Sequence, residues 1–339
     1  MLSAAKMLLG QKCVLQCLKH IRLYRGFHSS GSPYNSTAIK KQNEIFEKEK
    51  QRQLSLVKRI EKIRVNHLGP NDECSLIMNK YLSTPYHVAM HFNEIYTKRS
   101  VMAVVNGQPW HMLQPLVEDC DLRFLTMKEE EPDEVNRVFW RSSAHMLGAL
   151  LLDAFKESIT VVPVRAPDIP YMIGCFAYDV NLSIQWEPTR QELTSLKRLA
   201  YQLSEKKIPF ERLVIRKEVA EEIFADNVYK KHHLENVNTE RVTLFRLGQF
   251  IDINDGPMVT DTGFMVPFNY SITKVHSIDD YLLPNSKLSR FQGVALPSDF
   301  ECHHTAWSVI EHKAKNPVLL DLKPDFDNKY LPDEAEAAS

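Results

Sequence analysis

The stretch VTLFRLGQFIDINDGPMV, residues 242–259, decides how this chain is read. Within it Phe250-Ile251-Asp252-Ile253 alternates with the two-residue period of a half-buried strand, and Asn254-Asp255-Gly256-Pro257 follows as a turn signal. A rigid strand that ends in an open corner is a favoured place for catalytic side chains. This corner offers an amide at Asn254, a carboxylate at Asp255 and a thioether at Met258. Neither an amide nor a thioether moves protons or attacks a carbonyl, so the corner is either a site of another chemistry or the frame of one whose chemistry has gone.

Outward from that corner the segments alternate between helical and strand patterns. NRVFWRSSAHMLGALLLDAF carries apolar residues at Val138, Met146, Leu147, Leu150, Leu151 and Ala154, the spacing of a buried helix face. ITVVPVR and CFAYDVNL read as strands, TRQELTSLKRLAYQL as an amphipathic helix, IPFERLVI as a strand and EVAEEIF as a helix. Strands follow around TLFRLG and GFMVPFNYSITKVHS. The pattern predicts a mixed helix–sheet sandwich over residues 129–300. Before it, residues 61–128 read strand (EKIRVNHL), strand (CSLIMNK), helix, strand, strand, an order that suits a β-grasp domain. Thr84 as N-cap and Pro85 at the first helical position start that helix, which is expected to run through YHVAMHFNEIY, and Asn106-Gly107 marks the later hairpin. The fold class is therefore α+β.

Residues 28–60 form a charged extension in which NEIFEKEKQRQLSLVKRIEKI predicts an exposed helix, with Ile45, Phe46, Leu54 and Val57 as its sparse docking residues. Residues 301–339, weak in periodicity and ending DEAEAAS, are expected to form a partly disordered tail. No acidic residue precedes Glu44, whereas Lys6, Lys12, Lys19, Arg22, Arg25, Lys40 and Lys41 are basic. Residues 1–27 thus read as a mitochondrial presequence, with Arg25-Gly26-Phe27 before His28-Ser29-Ser30 resembling a matrix-protease cleavage site. Its removal takes five of the 42 basic residues and none of the 43 acidic ones, leaving a mildly acidic body. That balance argues against a protein that wraps nucleic acid over most of its surface and leaves local basic patches open. No apolar run is long enough to span a membrane. Cys74, Cys120, Cys175 and Cys302 are widely spaced, as for free thiols in a reducing compartment.

No phosphate-cradling GxxxxGK[ST], no GxGxxG after a strand and no GxSxG elbow is present. His87 and His91 stand four apart, as two zinc ligands would, but Val88 occupies the position of a zincin's glutamate and no third ligand is evident. His232-His233 and Cys302-His303-His304 are adjacent in sequence and poorly placed to converge on one ion. The reading expects no metal and no cofactor. Arg141 and His145 share a helix face, where His145 is either a general base or a buried, hydrogen-bonded imidazole.

The ordered series RSSAHMLGALL, GCFAYDV, PFERLVIRKEVAEEIF, VTLFRLGQFIDINDGPMV and LSRFQGVALP resembles the amino-terminal half of threonyl-tRNA synthetase from about residue 61 to 297. The resemblance implies a TGS domain followed by an editing domain. In that family editing relies on a His-x-x-x-His pair on a helix and a Cys-x-x-x-His pair after the FIDI-like strand. The matching positions here are Arg141, His145, Asn254 and Met258, so three of the four functional groups have changed and the resemblance implies a vestigial, inactive site. The residues after Pro297 are too few for an aminoacylation core, so charging of tRNA is not expected. A mitochondrial chain of this make-up, including NEIFEKEKQRQLSL, is similar to a protein family of the mitochondrial large ribosomal subunit. That resemblance implies a structural role in the matrix among ribosomal proteins, with rRNA as a further partner. Lys98, Arg99, Lys230, Lys231, Lys313 and Lys315 are the candidate RNA contacts. Two alternatives stay open: a free-standing hydrolase of mischarged tRNA with His145 as base, and a tRNA-binding regulator that uses the TGS domain.

Overall fold

The computed structural model describes residues 33–69, 74–156 and 158–318. The expected presequence and residues 319–339 lie outside them. The first unit is a five-stranded sheet in the order β2-β1-β5-β3-β4, built from β1 (Lys62–His67), β2 (Cys74–Asn79), β3 (Ser100–Val105), β4 (Gln108–Trp110) and β5 (Cys120–Thr126). The central β1 and β5 run parallel and the other pairs antiparallel, which is the β-grasp arrangement. Asn106 and Gly107, at φ 49° and 81°, make the two-residue turn between β3 and β4. Helix α2 (Pro85–Phe92) starts on a Thr84 capping box, as its sequence predicts. It stops earlier than expected, because Asn93 ends α2 and its side chain caps a separate helix α3 (Glu94–Arg99) by accepting from the Ile95 and Tyr96 N–H groups.

The second unit is organised on α4 (Asp133–Ala154), of whose 22 residues fourteen are buried; a helix apolar on nearly all sides needs cover on nearly all sides. On one side lies an antiparallel sheet of order β11-β12-β7-β6, with β6 at Val161–Arg165, β7 at Phe176–Leu182, β11 at Met265–Asp279 and β12 at Lys287–Pro297. On the other lies a three-stranded sheet of order β10-β9-β8, formed by β8 (Phe210–Arg216), β9 (Arg241–Leu247) and β10 (Phe250–Ile253). Val101, Met102, Leu125 and Met127 of the first unit join the same core, so the two units share buried surface. Helix α5 (Arg190–Glu205) adds a capping box at Thr189 and Glu192 and packs on β11.

The charged leading helix is not the exposed arm that its composition predicts. Helix α1 (Pro33–Leu56) lies across the outer face of the three-stranded sheet together with α6 (Lys217–Ile223). Phe46 is fully buried among Leu213, Ile215, Ile223, Phe224 and Leu244. Around it the charges select partners: Glu47 meets Arg246 at 3.1 Å, Lys50 meets Glu211 at 2.6 Å, and Gln53 donates to the Val214 carbonyl at 2.7 Å. Alternating strands give a three-stranded sheet two apolar faces, and α4 can cover only one of them. The docking residues expected to reach a partner are therefore divided: Ile45 and Phe46 are used within the chain, and Leu54 is exposed.

Part of the expected tail is ordered. Residues 304–313 form α8 (His304–Lys313), which seats Trp307 against Cys175, Val294 and Ala314 on the outer face of the four-stranded sheet. Gln292 donates to the Ala314 and Asn316 carbonyls at 2.8 and 2.7 Å, and Arg290 donates to the Val318 carbonyl at 3.2 Å. Polar side chains on β12 thus hold the returning chain where a sequence of weak periodicity offers little apolar grip.

Candidate functional site

The corner at 254–258 is tied to β9 and to α4 by hydrogen bonds. Asn254 donates its N–H to the Thr243 carbonyl at 3.1 Å, and its side-chain oxygen accepts from the Gly256 N–H at 3.3 Å. Ser142 Oγ accepts from the Val259 N–H at 2.9 Å while donating to the Val138 carbonyl at 2.7 Å. These contacts bring the corner at 254–258 against the α4 segment that carries Arg141 and His145.

Each of the four is engaged within the fold. Arg141 donates to the Pro257 carbonyl at 2.9 Å and lies flat against Gly256, where an added Cβ would stand 2.0 Å from Nη1 and 2.1 Å from Cζ. Burial pulls its pKa down, with Asp168, Asp255 and Glu134 acting against that pull. The guanidinium therefore fills the space in front of the corner. Met258 is fully buried and belongs to the core. Asn254 spends its amide oxygen on the turn. His145 is 2% exposed, with Phe250, Phe210 and Phe245 rings at 4.9, 5.8 and 6.5 Å. Burial lowers its pKa to about 4, Asp252 opposes the drop, and Nε2 has no hydrogen-bond partner among the described residues. An imidazole 2% exposed and packed among three phenyl rings is shielded from the surface from which a substrate would approach.

Gly256→Ala is expected to push the guanidinium off its seat and cost about 1–3 kcal/mol. In an Arg141→Ala background most of that penalty should disappear. Denaturant midpoints of the four proteins in this cycle provide the check, and an undiminished penalty would mean that something other than Arg141 fills the cleft.

Two features of this region were not singled out in the sequence. Asp252, 3% exposed, accepts from the Tyr178 hydroxyl and is ion-paired with Lys230, while its Oδ1 also accepts from the Ile253 N–H at 2.7 Å. Asp252 shares its strand face with Phe250, and that two-residue spacing is the signal that would have placed it inward. The second is His111, fully buried, whose Nδ1 lies 2.8 Å from the Met258 carbonyl and Nε2 2.9 Å from the Phe210 carbonyl. It ties the first unit to the corner of the second.

Lys230 therefore drops out as an RNA contact: it is 5% exposed on α7 (Val228–Asn236) and its charge is spent on Asp252. Lys98 is exposed but pairs with Glu94 at 2.7 Å, whereas Arg99, Lys231, Lys313 and Lys315 are exposed. The histidine pairs serve local structure. His87 Nδ1 accepts from the Thr84 N–H at 3.2 Å, and His303 Nδ1 accepts from the Thr305 N–H at 3.3 Å, so both cap helices. Among the described residues no three His, Cys, Asp or Glu side chains form a group that could hold a metal ion, and no helix is long and apolar enough to cross a membrane.

No protein-family model matches the chain. It is 37% identical over 322 residues to the large ribosomal subunit protein mL39 of Drosophila melanogaster, a match that covers 94% of this chain and 94% of that protein. It is 31% identical over 238 residues to cytoplasmic threonine–tRNA ligase 2 of Homo sapiens, covering 69% of this chain and 28% of the ligase. With the mitochondrial threonine–tRNA ligase of Homo sapiens the identity is 33% over 182 residues, 53% of this chain and 24% of the ligase. The similarity to the ligases is thus partial, and the similarity to mL39 runs nearly end to end.

Proposed function

The chain belongs to the family of the large ribosomal subunit protein mL39, and from that premise we propose how it serves there: as a chemically silent block in the mitochondrial large ribosomal subunit, working in the matrix. It is a structural component of that subunit and not an enzyme. Its partners are mitochondrial ribosomal proteins and large-subunit rRNA. The observation that carries the silent-block reading is the seat of Arg141. Hydrolysis of an ester needs an opening that admits the ester and a base that faces it. Here the guanidinium lies against Gly256 and Pro257, and the remaining imidazole is enclosed among aromatic rings.

An inert scaffold of editing type still offers shape. The exposed Arg99, Lys231, Lys313 and Lys315 are scattered over three separate segments of the chain, an arrangement suited to single phosphate contacts and not to a nucleic-acid groove. Most of the interface is accordingly assigned to protein.

Purified protein incubated with seryl-tRNA for threonine should release serine no faster than buffer, and His145→Ala should change nothing. In gradient sedimentation of a mitochondrial extract the protein should travel with the large subunit. Hydrolysis that disappears in His145→Ala, or persistent migration as a free protein, would overturn this reading.

A further inference from the structure

We propose that the open edge of β2 docks an extended, acidic segment of a neighbouring ribosomal protein, which adds a sixth strand to the first sheet. Strand β2 stands at the end of the order β2-β1-β5-β3-β4, so one of its sides carries no strand among the described residues. The register with β1 settles which groups face outward. Lys80 donates its N–H to the Glu61 carbonyl, and hydrogen-bonded pairs alternate along an antiparallel ladder. Cys74, Leu76 and Met78 therefore point their backbone groups at β1, while Ser75, Ile77 and Asn79 point away from it. Asn79 is satisfied locally, because its N–H donates to Ser83 Oγ and its carbonyl accepts from the Leu82 and Ser83 N–H groups. Ser75 and Ile77 are left to present the ladder edge.

Three of the other sheet edges among the described residues are guarded, and this one is not. An uncovered strand edge invites pairing, and proteins blunt it with proline, charge or a bulge. The edge strand β4 carries Pro109, β6 carries Pro163 and a register shift, and β11 carries Lys274 and two register shifts. Strand β2, with the sequence CSLIMN, has no proline, no charged residue and an unbroken register. Its Ile77 is 61% exposed, as is Met90 on α2. Leaving such an edge bare would be a liability, so its sequence fits an edge covered in the working assembly.

Beside the edge runs a groove of about 340 Å³ between β2 and α2, lined by Lys62, Ile77, Met78, Leu82, His87 and His91 among others. No carboxylate lines it. Lys62 binds the neutral Asn79 side chain at 2.6 Å, so its charge is not cancelled there. A strand laid along β2 sends alternate side chains towards this groove, where one lysine and two imidazoles favour carboxylates. One fixed positive charge is too few to hold an RNA backbone, which leaves a peptide as the matching occupant.

The partner's identity rests on the ribosomal reading, but the groove can be tested without it. Fluorescein-labelled EVEIEVE should bind the full-length protein at least about tenfold more tightly than KVKIKVK. Ile77→Pro removes an outward N–H that β1 does not use, so it should weaken EVEIEVE binding about tenfold while leaving the unfolding midpoint in place. His91→Glu, on the exposed face of α2, should weaken it several-fold. Equal binding of the two peptides, or indifference to both substitutions, overturns the proposal even if the protein sediments with the subunit. In assembled large subunits, benzoylphenylalanine at position 77 should cross-link to a ribosomal protein. Cross-linking to rRNA, or to this chain's own last residues, overturns it as well.

Discussion

Lys230→Met should lower the unfolding free energy by about 3–5 kcal/mol, the cost of removing one partner of a buried ion pair. Lys230 and Asp252 are 5% and 3% exposed, so neither borrows stabilisation from water. Without the ammonium, Asp252 keeps only the Tyr178 hydroxyl and its neighbouring backbone N–H, and an ionised carboxylate is left in an apolar surround. The pair also fastens α7 to β10, and Tyr178 fastens β10 to β7, so the loss falls on the joint between the two sheets. The loss amounts to a large fraction of the roughly 5–15 kcal/mol that holds an ordinary domain folded. The double variant Lys230→Met with Asp252→Asn should recover most of it, since the amide still accepts from Tyr178 and no bare charge remains. Urea unfolding of the two singles and the double checks this. A double variant no more stable than Lys230→Met would show that the penalty lies in packing and not in the orphaned charge.

That pair also marks where the sequence stops being legible. The strand–turn corner at 250–257 could be read because a period of two and a Gly-Pro turn are local signals. The helix through Met146 and Leu150 was legible for the same reason. The basic run Lys230-Lys231-His232-His233 looked like surface, because its interior anchors, Tyr229 and Leu234, are single residues between charges. What buries Lys230 is a carboxylate 22 positions away on another element, and pairing of distant charges leaves no trace in local periodicity. Phe46 misled in the same way: one aromatic on a charged helix reads as exposed until a bare sheet face is found opposite. For α8 the grip comes from Gln292, Arg290 and Thr273 on strands, polar residues whose targets are carbonyls of a segment that returns later. By contrast the break at Asn93 was available: asparagine followed by glutamate is a helix-start signal, and here it overrode the helical run around it.

Two buried histidines, His111 and His145, give the protein a second property, which is sensitivity to acid. His111 and His145 are both buried and both have pKa values lowered from 6.5 to about 4, with burial as the leading cause. For His111 the Phe210 and Met258 carbonyls oppose the drop, because only a protonated ring can donate to both. A lowered folded-state pKa means that the unfolded chain takes up the proton first as the medium is acidified. The stabilisation is therefore complete above about pH 6.5 and is lost as pH falls towards 4, at up to about 3 kcal/mol per histidine. Asp255 and Asp261, whose pKa values burial raises, act in the opposite sense: their contribution is present at low pH and fades as pH rises through their own range. Urea midpoints should accordingly fall steeply between pH 6.5 and 4 and stay nearly level from 7 to 8. Replacing both histidines by glutamine should lower the midpoint at pH 7 and flatten the acid limb. If the limb keeps its slope in the double variant, the protons are being taken up elsewhere, and these two imidazoles are not what holds the corner and the first unit together.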